Sequence, residues 1–196
     1  LADTHYKKFP CCRWAHPSMD AAQALMEENG LYHADVERVE IRTFHYATRL
    51  AGHRPASMDE LAYSIAFPVA TMIVRGAFGA REMDAAVLAD QDIIRVSEAT
   101  ELIDDAEMTA RSVEKRWAAV TIIAKDGARY EAEPRSARGD VDAPLSEDEM
   151  RDKFHMFADP VLGRARAEKI RALCLRFDAL DSKEFAGLLD LVLAAP

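Results

Sequence analysis

Cysteine is scarce in this chain of 196 residues: Cys11, Cys12 and Cys174 are all it has. An odd count with two vicinal members makes a poor disulfide framework and suits a reducing compartment. Adjacent cysteines point in different directions along most backbones. No second Cys/His pair follows at finger-like spacing, so Cys11, Cys12 and His16 make only a weak zinc half-site. The two intervening residues of the usual redox dithiol are missing as well. Long apolar runs are lacking too. The longest, Leu61 to Val74, is interrupted by Ser64 and Pro68 and is too short for a bilayer. The opening residues carry no signal-peptide pattern. Neither a phosphate-cradling glycine loop nor a GxSxG elbow occurs. Positive charge is outnumbered, 25 Lys and Arg against 34 Asp and Glu, and a formal net charge of -9 repels polyanions unless a local basic patch overrides it. These absences lead to the expectation of a soluble cytosolic protein with no metal site, no nucleic-acid partner and no membrane span.

What is present suffices for a real core: 49% of the residues are apolar and 30% charged, the balance of an ordinary globular domain. Pro17 suits the first position of a helix, with Met19, Ala22, Leu25 and Met26 at helical spacing and Asn29-Gly30 as a stop. From Val36 to Phe44 the pattern alternates, Val39, Ile41 and Thr43 against Arg38, Glu40 and Arg42, as in a half-buried strand. Ser57 and Glu60 form a capping box opening a buried helix from Leu61 to Arg75, with a kink expected at Pro68. A short helix near Asp84 to Leu88 and a strand from Ile93 to Glu98 follow. Trp117 to Glu133 reads as a hairpin, with Asp126-Gly127 favouring a type I′ turn. Residues 135–144 are polar and irregular. Ser146 and Glu149 open a helix carrying Met150, Phe154 and Phe157. Two more follow, Val161 to Phe177 and Ser182 to Leu193, the latter capped by Asp181 and Glu184. The expected architecture is α+β: a lid-type unit over 1–145 with a small antiparallel or mixed sheet, then a helical segment over 146–196.

The densest chemistry lies at Lys7 to Ala21, KKFPCCRWAHPSMDA. If Pro17 is the first helical residue, His16 is the N-cap, and the unpaired N–H groups behind it face the loop from Lys7 to Arg13. A helix N-terminus attracts carboxylates, and lysine or arginine beside it adds charge-assisted hydrogen bonds. His16 could serve as acid or base near neutrality. The alternative is that Lys7 and Lys8 are solvated and His16 merely caps. His5, His33, His45, His53 and His155 show no partner spacing. Ser64, inside a buried helix, more often satisfies a carbonyl than attacks a substrate. Arg135 and Arg138 beside Gly139 could form an anion-binding loop or a solvated one.

Three blocks in order resemble the MmgE/PrpD family. Its motif K-x-[YF]-P-x-C-R-x-x-H-x-x-[IM]-D-A is matched by Lys7, Phe9, Pro10, Cys12, Arg13, His16, Met19, Asp20 and Ala21. A second block is matched by Ala62, Ser64, Phe67 and Ala70 followed by Gly76. A third is matched by Gly139, Asp140, Pro144, Leu145, Ser146, Glu149, Lys153 and Phe154. The resemblance implies an enzyme acting on a small di- or tricarboxylate without a cofactor or a metal-sulfur cluster. Such members include 2-methylcitrate dehydratase, cis-aconitate decarboxylase and iminodisuccinate epimerase. It implies a smaller α+β lid inserted in a large all-helical domain, with the site in the cleft between, and commonly a homodimer. The chain is expected to be the C-terminal half, with the N-terminal helical domain missing and the site incomplete. Lys7 and His16 are the expected catalytic residues, Lys7 stabilising developing charge or delivering a proton, and His16 in an acid–base or carboxylate-orienting role. Cys12, Arg13 and Ser64 are expected at the substrate. A dehydratase is the first expectation. The alternative is a non-catalytic lid or binding module that pairs with a separate helical domain or partner chain.

Overall fold

A computed structural model describes residues 4–195, which divide into two compact units on either side of residue 145. The first unit runs α1 (His16–Glu28), β1 (Val36–Thr43), α2 (Met58–Ala62), α3 (Ala66–Arg75), α4 (Gln91–Glu98), β2 (Thr100–Asp104), α5 (Ala106–Arg111), β3 (Trp117–Ala124), β4 (Arg129–Glu131) and β5 (Arg135–Ser136). The sheet order is β2-β1-β3-β4, with β5 also paired to β3. It is mixed: β1 and β2 are parallel, with Ile41 opposite Leu102, whereas β1 and β3 are antiparallel, with Ile41 opposite Val120. A parallel pair needs a long crossover, and the segment from α2 to α4 supplies it. The α+β expectation is met.

β1 reads as expected. Val39, Ile41 and Thr43 are buried, and on the opposite face Glu40 takes Arg38 at 2.6 Å and Arg129 at 3.1 Å. A register shift between Val36 and Arg38 keeps Val36 buried although it lies three residues before Val39. α1 and α3 pack together, α1 against β3 and α3 against α4, so the core lies on one face of the sheet. Every residue of α3 from Ala66 to Ile73 is buried, which suits a helix apolar on nearly all sides.

Several boundaries differ from expectation. The helix expected at Leu61 to Arg75 breaks at Tyr63–Ile65 and not at Pro68. The Ile65 and Ala66 amides donate to the Leu50 and Ala51 carbonyls, at 2.8 and 2.9 Å, which ends α2 and restarts the chain as α3. Pro68 therefore falls in the first turn of α3, where its missing N–H costs nothing. Ile93 to Glu98 is helix rather than strand. Its buried residues Ile93, Ile94, Val96 and Ser97 repeat at helical spacing, and the Asp90 carboxylate caps the amides of Asp92 and Ile93. The strand is the next segment, β2. The Asp126-Gly127 turn is not type I′, since among the described residues only glycines have positive φ. Gly127, at φ 87°, instead donates to the Ala124 carbonyl at 2.8 Å, giving a three-residue hairpin loop ending in a left-handed glycine.

The second unit is α6 (Glu147–Leu162), α7 (Arg164–Cys174) and α8 (Ser182–Leu193). Both capping boxes expected here form, Ser146 with Glu149 and Asp181 with Glu184, whereas at α2 Ser57 accepts from the Glu60 amide but the Glu60 carboxylate takes the Ala56 amide. Val161 belongs to α6, because the chain turns at Gly163, φ 74°, before α7 starts. Between α6 and α7, the buried His155 contacts Asp159 through Nδ1 and Glu168 through Nε2, both at 2.8 Å. Among the described residues no helix is long and apolar enough to cross a membrane.

Candidate functional site

Residues 5–13 form an irregular segment, bent at 8–11, whose side chains divide between interior and surface. Phe9 and Cys11 are buried in the core, Lys7 is exposed, and Lys8, Cys12 and Arg13 are half-buried. The Cys11 Sγ lies 3.6 Å from the Met19 Sδ. Burial pushes its thiol up to about 12, against the pull of the Lys7 charge nearby, so Cys11 is an inert packing residue. The Cys12 amide donates to the Ala62 carbonyl at 2.6 Å, tying this segment to the end of α2.

The helix N-terminus behind the segment differs from expectation. A 3-10 turn at Arg13–Ala15 runs straight into α1, and Ala15 rather than His16 occupies the N-cap. The amides of Ala15 and His16 already donate to the Cys12 and Arg13 carbonyls. Fewer donors are therefore left for an anion than a sharp helix start would offer. His16 is the first helical residue and fully buried, with its ring edge-on to Phe9 at 5.2 Å. His16 and Lys7 thus occupy opposite sides of the segment, one inside and one exposed. Ser64 is buried at the α2–α3 break, where its hydroxyl donates to the Leu61 carbonyl at 3.0 Å. The chain at residue 52 passes so close that any side chain there would collide with Ser64, and Gly52 at φ 58° fits.

Arg13, expected at the substrate, directs its guanidinium to the Asp140 carboxylate. His5 Nδ1 reaches the same carboxylate at 2.5 Å. Burial works to raise the Asp140 pKa, but Arg13 and His5 prevail and hold it below the usual carboxylate range. Beside them the Tyr6 amide donates to the Gly139 carbonyl at 2.9 Å, and Lys8 Nζ donates to Asp20 Oδ1 at 2.6 Å. Lys8 and Asp20 border a cavity of about 390 Å³, which Gln23, Glu27, Arg135 and Arg138 also line. Arg135 donates to the Asp20 carbonyl at 3.3 Å and Arg138 to the Pro144 carbonyl at 3.2 Å. The loop at 135–144 is therefore pinned at Arg135 and Arg138. Asp140 and Asp20 were not singled out from the sequence, although both stand in the motif blocks. Their acidic side chains did not suit an anion pocket, and only the fold reveals them as partners of the cations.

The three blocks, far apart in sequence, meet on one short segment: the first contains it, the second holds it at Ala62, and the third at Gly139 and Asp140. Among the described residues no group of three or more His, Cys, Asp or Glu side chains could hold a metal ion. The unit is an α+β domain with lysines and arginines gathered at one edge of a motif-bearing segment. A family model for the MmgE/PrpD C-terminal domain matches residues 9–178, and the chain belongs to the MmgE/PrpD family. That family is one of lyase- and isomerase-type enzymes. No curated protein matches the chain.

Proposed function

We propose that residues 5–13 and the adjoining cavity form one wall of a pocket for a small di- or tricarboxylate, in a lyase or isomerase that moves a proton next to a carboxylate. The observation that carries this reading is the convergence of the three blocks on the segment that carries the exposed Lys7, through Tyr6, Cys12 and Arg13, in a chain whose net charge is -9. Lys7, Lys8, Arg13, Arg135 and Arg138 outnumber Asp20, Glu27 and Asp140 beside them, where the chain as a whole would repel a polycarboxylate.

Breaking a bond beside a carboxylate builds negative charge on an enolate-like carbanion, and a cation close to that charge lowers the barrier. Lys7 is the residue we assign to this role, or to proton delivery. Lys7 is exposed on the segment and stands first in the motif of the first block. His16, fully buried, backs the wall and orients Phe9 and the segment above it. Cys12 lines the pocket, and Ser64 shapes the floor through its bond to Leu61. The opposite wall would come from the family's helical domain. A dehydratase acting on a 2-methylcitrate-like acid is the reaction we favour. Replacing Lys7→Ala in an active preparation should cut turnover about 10²- to 10⁴-fold, the usual loss when a general acid or base is removed. Near-full activity of that variant would remove Lys7 from the mechanism.

A second reading, a binding module that pairs with a helical partner, draws on α8, where Phe185, Leu189, Val192 and Leu193 expose apolar surface along one face. Titration calorimetry with citrate, next to a turnover assay on a panel of di- and tricarboxylates, separates the two. Binding without turnover in the presence of the helical partner favours the module.

A further inference from the structure

We infer that Gly139 and Asp20 are positioning residues that bracket Lys7, one holding the backbone of the residue before it and the other tethering the side chain of the residue after it. This rests on the reading of Lys7 as the group that meets the carboxylate. On one side, the Tyr6 amide donates to the Gly139 carbonyl at 2.9 Å. Gly139 is itself held, its amide donating to the Ala143 carbonyl at 2.7 Å while the Ala143 amide returns to Asp140 at 3.1 Å. The Asp140 carboxylate adds two contacts, to His5 and to the Arg13 guanidinium, and so clamps the segment on both sides of Lys7. On the other side, Lys8 Nζ donates to Asp20 Oδ1 at 2.6 Å and sits over the Phe9 ring at 5.0 Å. Phe9 and Cys11, both buried, anchor the chain beyond.

Position 139 admits no other residue in this arrangement. Its φ is 99°, in the region that favours glycine, and a Cβ there would collide with the Tyr6 carbonyl oxygen. Asp20 is equally constrained. It is 8% exposed, and its Oδ2 is buried with no hydrogen-bond partner among the described residues. The Lys8 ammonium is therefore the charge that compensates this carboxylate, and removing Lys8 leaves a buried ion. Lys8 serves Asp20 and is not the catalytic lysine. The consequence lies in the backbone between the anchors. Lysine has a long flexible stem, so looseness of its own backbone adds to the freedom its ammonium already has. A displacement of about 1 Å at a reacting group can cost roughly 10²-fold in rate. A residue of the third block and a residue of α1 thus act on the first block's lysine without touching substrate.

The test uses Gly139→Ala, Asp140→Asn, Asp20→Asn and Asp20→Glu, with amide hydrogen exchange over residues 5–9, citrate affinity by calorimetry and the tryptophan-fluorescence melting curve. Gly139→Ala and Asp20→Asn should each speed exchange of this segment about tenfold or more, through local opening with the global melt little changed. Citrate binding should weaken roughly tenfold, equivalent to about 1.4 kcal/mol. Asp20→Glu should restore both readouts, which a mere packing role would not predict. If Gly139→Ala does not fold, Asp140→Asn and the Asp20 pair decide the matter. Wild-type exchange in Asp20→Asn and Asp140→Asn would overturn the bracket whatever citrate does. Should Lys7→Ala bind citrate like wild type while the bracket variants still loosen residues 5–9, the carboxylate reading falls and the bracket stands.

Discussion

The two units are built by different means. The first buries a dense apolar set, with Phe67, Phe78, Met19, Ile41, Leu61 and Ile122 all but inaccessible. In the second, Ala167, Ile170 and Leu188 are the buried apolar residues among those described. Its order comes from local polar devices: capping boxes at α6 and α8, His155 between Asp159 and Glu168, and Arg166 donating to carbonyls at the end of α8. Apolar packing fixes a unique arrangement through the jigsaw of shapes, whereas caps and ion pairs fix helix ends and contribute less each. The candidate site belongs to the tightly packed unit, as expected of a site that needs its groups held in place.

The same substitution in both units tests this contrast most strongly. Leu61→Ala empties a site at 0% exposure in a dense core, and should cost about 4–5 kcal/mol, the upper end for such changes. Leu188→Ala, at 4% exposure among few buried neighbours, should cost about 2–3 kcal/mol, because a thin core collapses around the gap. Both tryptophans, Trp14 and Trp117, lie in the first unit, so fluorescence reports Leu61→Ala and far-ultraviolet dichroism is needed for Leu188→Ala. Equal losses by chemical denaturation would erase the distinction.

A cap gives a smaller effect. The Ser146 hydroxyl accepts from the Glu149 amide at 3.2 Å, and the Ser146 amide donates to the Glu149 carboxylate at 2.8 Å. Ser146→Ala should cost about 1 kcal/mol, read as a lower denaturation midpoint by dichroism. An unchanged midpoint would mean that α6 is held by something other than its cap.

Legibility from sequence follows the same division. Local signals were readable: the boxes at Ser146 and Asp181, the alternation of β1 and the β3–β4 hairpin. Failures came where a distant partner decided. Nothing near Ser64 reveals that Leu50 and Ala51 take the Ile65 and Ala66 amides and break the helix. Ile93 to Glu98 is a short apolar run whose period is ambiguous until the Asp90 cap is noticed. At the candidate site, Lys7 and the three motif blocks stood out in the sequence. The roles of Asp140 and Asp20 did not, because a carboxylate 127 residues from Arg13 is brought to it only by the fold.

Acid titration makes the finest cut. Asp140 in the first unit, and Asp159 and Glu168 in the second, are all held below their ordinary carboxylate ranges. Burial opposes this for Asp140 and Asp159, and Arg13 with His5 outweighs it at the first, His155 with Arg164 at the second. Contact with His155 leads at Glu168. A depressed folded pKa means that the unfolded chain takes up protons first. The stabilisation is therefore complete above the unfolded carboxylate value, about 4, and is lost as pH falls through the lower folded value. Asp140→Asn should flatten the acid limb of the fluorescence-detected melt below about pH 4, with a loss near neutrality of at most about 1 kcal/mol because the pair is partly solvated. Asp159→Asn should flatten the dichroism-detected limb and leave the fluorescence limb alone. A fluorescence limb that keeps its full slope in Asp140→Asn would show that this carboxylate does not hold the segment from His5 to Arg13, and would leave Gly139 as its main anchor.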